Sequence, residues 1–188
     1  MSDLPRFNLL ARLLHWSMAA AILAMLLIGV AMVASLADYH VLVGVHRPLG
    51  LLILLLVVVR LANRWRHPPP TLPADLPGWQ RRAAHASHVA LYGLMLAMPI
   101  IGWAMLSAAR DPVALGGSFV LPPILPHSPL AYAWLRALHG VLAYALFCLV
   151  LAHLGAALLH ALIRRDGVFA SMAPWRRRRP ATGLRADA

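Results

Sequence analysis

Four long apolar stretches alternate with short polar segments along the chain. They cover residues 13–36, 41–62, 83–108 and 134–163. A helix that crosses a bilayer needs about 20 mostly apolar residues, and each stretch reaches that length. The pattern predicts an all-α integral membrane protein, in which one domain of residues 1–188 forms a four-helix transmembrane bundle.

The segments between the later stretches favour loops. The sequence HPPPTLPADLPGW separates the second stretch from the third, and its prolines cannot continue a helix. A longer segment with Gly-Gly and Pro-Pro separates the third from the fourth. The first stretch could alternatively be a signal peptide cleaved near residue 36, but it exceeds the about 7–15 apolar residues of such segments, so we expect it to remain.

Composition and charge support a membrane protein and predict its orientation. Hydrophobic residues make up 61% of the chain and charged residues 12%, against about 25% charged residues in soluble domains. The net charge of +11 comes from arginine alone. Fourteen arginines lie on one side of the predicted membrane: Arg6, Arg12, Arg60, Arg64, Arg66, Arg81, Arg82, Arg164, Arg165, Arg176, Arg177, Arg178, Arg179 and Arg185.

Only Arg47, Arg110 and Arg136 fall on the other side. The positive-inside rule then places both termini in the cytoplasm, with residues 164–188 as a basic tail near the lipid headgroups. This distribution accounts for the basic charge without a nucleic-acid partner.

Four of the ten histidines lie inside the apolar stretches, where ionisable groups are costly and usually functional. His139 and His153 share the fourth stretch and are fourteen residues apart. That spacing is about 3.9 helical turns, so both side chains point to the same side, about 21 Å apart along the axis. His15 and His46 lie in the first and second stretches.

The direction of each predicted span pairs these histidines by depth. His15 and His153 fall near the cytoplasmic face, and His46 and His139 fall near the periplasmic face. A closed zinc site needs about four protein ligands, whereas haem needs one or two axial ligands. We therefore predict two b-type haems, with His15, His46, His139 and His153 binding the haem irons.

Two further observations agree with haem. The residue one turn after each of these histidines is small, which leaves space for a flat macrocycle: Ala19, Gly50, Ala143 and Ala157. No C-x-x-C-H motif is present, which excludes covalent c-type attachment. Two histidine ligands per iron predict low-spin haem used for electron transfer.

Three other histidines lie near the cytoplasmic ends of the predicted helices. His160 follows His153 by about two turns on the same face, so it is either a quinone contact or an interfacial side chain. His85 and His88 begin the third span, and we interpret both as interfacial residues, with a propionate or quinone contact as the alternative.

Together these residues resemble the bacterial di-haem cytochrome b-561 family of the superoxide oxidase (superoxide:ubiquinone oxidoreductase) type. The resemblance covers residues 12–174. It rests on His15-Trp16, on His46 with Arg60 fourteen residues later, on the HPPP loop, on AHASH and PIIGW, on Leu138-His139, on AHLGAALLH and on a final Met-x-Pro. It implies the same four haem ligands, a quinone site near His160 and a bacterial inner-membrane location. The loop before the third span carries Asp75 and no lysine, which departs from the lysine of the superoxide oxidase type.

Three functions follow as hypotheses. The leading one is a di-haem cytochrome that carries electrons from a periplasmic donor, such as superoxide, to ubiquinone or another membrane quinone. The second is a cytochrome b subunit that relays electrons for a redox partner protein such as a dehydrogenase or hydrogenase. The third is a histidine-lined metal transporter, which the absence of acidic residues from the spans disfavours.

Overall fold

Four long helices and two short helical segments make up the described part of the chain. A computed structural model describes residues 5–73, 75–114 and 120–173. The long helices are α1 (Leu9–Ala34), α2 (Tyr39–Arg66), α3 (Gly78–Ala109) and α4 (Pro129–Leu158). A π-helical turn (Leu159–Arg164) extends α4, and α5 (Val168–Met172) follows it. All four long helices are long and apolar enough to cross a membrane, which confirms the predicted fold class.

Three of the four helices begin several residues before the predicted apolar stretches. Asn8 caps α1, since its side-chain oxygen accepts a hydrogen bond from the amide of Ala11 at 2.6 Å. Ser128 caps α4 in the same way through the amide of Ala131, and Pro129 occupies the first turn. Hydropathy marks the part of a helix that lies in lipid, whereas capping residues mark where the helix starts.

Side-chain contacts at both ends show that consecutive helices run in opposite directions. At one end, called here the His15 end, Asn8 at the start of α1 contacts Asn63 near the end of α2. At the same end Arg164 contacts Gln80 at the start of α3. At the opposite end, the His46 end, Arg47 at the start of α2 pairs with Asp111 just after α3.

The four helices do not pack equally against one another. Close contacts join α1 to α2, α2 to α3 and α3 to α4, whereas α4 approaches α1 and α2 much less closely. The buried core reflects this arrangement, because only one of its members, Leu146, lies on α4. The core consists of Met18, Ile22, Ile53, Val57, Leu91, Met95 and Leu146. Large apolar side chains such as Leu27 and Val33 remain exposed, as expected for surfaces that face lipid.

Two of the prolines lie within helices, Pro48 in α2 and Pro99 in α3. Proline removes one backbone hydrogen bond, which a spanning helix tolerates where neighbouring groups compensate.

Part of the predicted basic tail is ordered against the bundle. The segment after residue 164 forms α5, which packs on the start of α1. The indole nitrogen of Trp16 donates to the carbonyl of Met172 at 3.0 Å, and a guanidinium nitrogen of Arg6 donates to the carbonyl of Ala173 at 2.6 Å. The four consecutive arginines at residues 176–179 lie outside the described residues.

We expect Asn63→Ala to destabilise the bundle by about 1–3 kcal/mol, because the substitution leaves the amide of Asn8 without its partner. Asn63 is only 7% exposed and exchanges two hydrogen bonds with Asn8, of 3.2 and 3.3 Å. The free energy of unfolding in detergent, followed by circular dichroism, measures this change. Trp65→Phe, at a side chain that is 90% exposed, is the control. Equal stability of the two variants would contradict the prediction.

Candidate cofactor site

Two pairs of histidines face each other inside the bundle, one near each end. The ring centroids of His15 on α1 and His153 on α4 are 6.3 Å apart. Those of His46 on α2 and His139 on α4 are 6.2 Å apart. These are the two pairs that the depth argument predicted.

The spacing of each pair suits a shared metal ion. A metal–imidazole bond of about 2.0–2.1 Å places two rings that bind one ion from opposite sides with centroids about 6 Å apart. Among the described residues, no three or more His, Cys, Asp or Glu side chains form a group that could hold a metal ion. Two protein ligands at each level fit a cofactor that supplies the remaining ligands itself.

Each histidine pair bridges two helices that do not pack closely together. His15 and His153 join α1 to α4, and His46 and His139 join α2 to α4. A flat macrocycle between two axial ligands needs a gap between the helices that carry them. The arrangement provides such a gap at both levels, so the described residues fit haem.

The pair at the His46 end has unused bonding capacity. The Nδ1 atoms of His46 and His139 are buried. Neither atom forms a hydrogen bond of good geometry with a described residue. A buried ring nitrogen usually has a partner, and a metal-binding histidine normally donates its second nitrogen to an acceptor. The ring of His139 lies against Gly102 on α3, where an added Cβ would lie 3.6 Å from the ring.

The pair at the His15 end is surrounded by polar side chains. A guanidinium nitrogen of Arg60 lies 3.2 Å from Nδ1 of His15, and Nε of Arg60 donates to the hydroxyl of Tyr92 at 2.9 Å. Arginine has no acceptor, so Nδ1 of His15 is the acceptor in this contact. The role of Arg60 was not predicted from the sequence, although its position inside an apolar stretch was the available signal.

His88 is a third histidine beside this pair. Its ring centroid is 5.5 Å from that of His153, although its side chain is exposed. The sequence favoured an interfacial position for His85 and His88 alike. The structure places only His88 next to His153, because His88 is one helical turn farther along α3.

His160 belongs to a cluster of charged side chains at the His15 end. Its Nδ1 lies 2.7 Å from a carboxylate oxygen of Asp166, which also accepts a hydrogen bond from Nε of Arg164 at 3.2 Å. Partial burial tends to raise the pKa of Asp166. Hydrogen bonds from His160, from the amide of Val168 and from Arg164 nevertheless hold this pKa below its usual value. The contact between His160 and Asp166 was not predicted, since both lie in or after a π-helical turn whose side chains do not follow the α-helical period.

The three arginines assigned to the opposite membrane side have different surroundings. Arg47 forms a two-pronged ion pair with Asp111. Arg136 is exposed and donates to the hydroxyl of Tyr132 at 3.4 Å, and Arg110 ends α3 in a left-handed conformation. None of the ion pairs formed within the described ranges includes Arg110 or Arg136.

Sequence comparison assigns the protein to a class of membrane cytochromes. Residues 6–175 match the family described as prokaryotic cytochrome b561. The chain therefore belongs to the prokaryotic cytochrome b561 family, which confirms the resemblance inferred from its histidine motifs. Membership implies a membrane electron-transfer protein that binds b-type haem.

Three named proteins are similar to this chain over most of their length. Cytochrome b561 homolog 2 of Escherichia coli (strain K12) is 32% identical over 171 residues, which cover 89% of this chain and 90% of the relative. Cytochrome b561 homolog 1 of the same organism is 31% identical over 132 residues, which cover 70% of this chain and 74% of that relative. The probable superoxide oxidase CybB of Yersinia pestis is 32% identical over 139 residues, which cover 71% of this chain and 75% of that relative.

We expect Gly102→Leu to reduce haem retention selectively at the His46 end, because a branched side chain at this position would displace the ring of His139. Gly93→Leu is the matched control on the same helix, since no atom lies within 4 Å of a Cβ at that position. The haem-to-protein ratio of the purified variants measures the effect. Full haem content in Gly102→Leu would show that the ring has space to move.

Proposed function

We propose that the protein holds two b-type haems, one between His15 and His153 and one between His46 and His139, and passes electrons across the membrane to quinone. The observation that carries this proposal is the spacing of the two pairs, 6.3 and 6.2 Å between ring centroids, across helices that stand apart. A bound haem supplies the one-electron chemistry. In this proposal the histidine side chains hold the two haems at different depths of the bundle.

His15 is a better partner for His153 than His88 is, although His88 is nearer. His88 lies on α3, which packs directly against α4, so a macrocycle between these two rings would have to separate packed helices. His15 lies across the gap between α1 and α4. The more distant ring is therefore the axial ligand, and His88 is a neighbour of the cofactor.

The distribution of arginines supports an orientation with both termini in the cytoplasm of a bacterial inner membrane. In that orientation the His15 end faces the cytoplasm and the His46 end faces the periplasm. Electrons that enter at the His46 end then leave at the His15 end.

The geometry of the charged cluster supports quinone binding next to His160. Nδ1 of His160 donates to Asp166 at 2.7 Å, which orients the ring, and Nε2 of the imidazolium form is then the donor to a carbonyl oxygen of quinone. Arg164 shares the same carboxylate and links the cluster to Gln80 on α3.

Superoxide is the most specific electron donor that the comparisons suggest, since one relative is named a probable superoxide oxidase. Arg110 and Arg136 give the His46 end positive charge that can attract an anion. Arg47 contributes less to this field than its charge suggests, because Asp111 neutralises it.

The histidine pairs make a specific prediction about haem content. We expect His15→Ala and His153→Ala to lose one haem, and His46→Ala and His139→Ala to lose the other, while His88→Ala keeps two haems per chain. Reduced-minus-oxidised absorption spectra, combined with haem and protein quantification, distinguish these outcomes. Loss of the same haem in His15→Ala and His46→Ala would contradict the pairing.

Quinone reduction under a flux of superoxide tests the electron path. We expect the purified protein to reduce ubiquinone, and His160→Ala to slow this step about tenfold, as removal of about 1.4 kcal/mol of hydrogen bonding would. Both haems should remain in this variant, and His85→Ala at an exposed side chain is the control. Wild-type activity no greater than that of the haem-deficient His15→Ala variant would exclude superoxide as the donor.

A further inference from the structure

Two arginines at the His15 end carry charges that no described carboxylate balances. Arg60 and Arg64 lie one turn apart on α2, and both guanidinium carbons lie over the ring of Tyr92, at 5.9 and 5.7 Å from its centroid. Both side chains are half-buried. The ion pairs formed by residues 5–73, 75–114 and 120–173 include neither of them.

The four described acidic side chains are engaged elsewhere. Asp111 pairs with Arg47, and both Asp75 and Asp166 pair with Arg164. Asp38 accepts a hydrogen bond from Ser35 at the His46 end. An unbalanced pair of cations within a spanning helix is costly, so an anionic partner from outside the chain would stabilise it.

The contact between Arg60 and His15 bears on which ring nitrogen of His15 can bind iron. Arg60 donates to Nδ1 of His15, which requires that nitrogen to be unprotonated. A neutral imidazole that binds iron through Nε2 carries its proton on Nδ1. Iron binding by His15 through Nε2 would therefore leave Arg60 free to donate to a carboxylate in place of Nδ1.

We propose that Arg60 and Arg64 bind the two propionate carboxylates of the haem held by His15 and His153. This inference rests on the proposed function, because it requires a haem at that pair. Haem brings two negative charges, which match the two cations in number and sign. The planar guanidinium can bind a carboxylate through two parallel hydrogen bonds, and its reach to His15 places it beside the axial ligand.

A lipid phosphate is the other source of an anion at this depth. Arg66 on the same helix is exposed at the helix end and is the residue placed to meet headgroups. Arg60, six residues earlier, instead contacts His15, Tyr92 and the carbonyl of Ala11. These contacts place its guanidinium inside the bundle beside the paired histidines.

The test compares Arg60→Gln, Arg64→Gln and Arg60→Lys with Arg66→Gln as the control, all as purified haem-loaded protein. Redox titration gives the midpoint potential of each haem, and resonance Raman spectra report the propionate bending modes. Each measurement is made in detergent and in nanodiscs with zwitterionic or anionic lipid. The same variants in a His139→Ala background isolate the haem at the His15 end.

Arg60→Gln should lower the potential of that haem alone, because loss of a nearby cation disfavours the added electron. A tenfold change in the reduction equilibrium, about 59 mV for one electron, is the expected size. Its propionate modes should shift in every lipid, Arg64→Gln should act in the same direction, and Arg60→Lys should recover most of the potential. Arg66→Gln should change nothing.

Unchanged potentials and propionate modes in Arg60→Gln would overturn the inference. A shift that occurs only with anionic lipid would also overturn it, in favour of a lipid phosphate. In both cases the loss of one haem in His15→Ala would leave the proposed function intact. Full haem content in His15→Ala and His153→Ala would instead remove the proposed function, and this inference with it.

Discussion

The position of α4 relative to α1 and α2 is the constraint on which the rest of the structure depends. α4 packs on α3 and stands away from the other two helices, yet it carries one histidine of each pair. A helix satisfies its own backbone hydrogen bonds, so it can stand apart from a neighbour without exposing unpaired backbone groups to lipid. The packed core of α1, α2 and α3 supplies a rigid support, and the paired histidines lie between this core and α4.

Much of this arrangement follows from the sequence, for reasons that particular residues make clear. His139 and His153 share a face because fourteen residues make nearly four turns, and depth in the membrane selects their partners. The role of Arg60 could not be predicted, because it depends on a contact between two helices. α5 was missed because its few residues have neither the length nor the periodicity that identify a helix.

The two ends of the bundle differ in how their charges are balanced. At the His46 end Asp111 neutralises Arg47, and neither Nδ1 of His46 nor Nδ1 of His139 forms a hydrogen bond of good geometry with a described residue. At the His15 end Arg60 and Arg64 have no described carboxylate, while Arg164 contacts two. The electrostatic potential therefore differs between the two histidine pairs. The net positive field at the His15 end would favour the reduced state of a haem bound there.

The π-helical turn at Leu159–Arg164 gives the end of α4 a different register from the rest of the helix. A π-turn corresponds to one residue inserted into an α-helix, which rotates every later residue by about 100° around the axis. His139 and His153 precede this turn, Arg164 is its last residue, and Asp166 follows the left-handed Arg165 that ends it. A lineage that lost this single residue would keep a membrane span of full length and both histidines of α4. The loss would, however, change the path of the chain between His160 and Asp166, so the 2.7 Å contact between their side chains depends on the length of this turn.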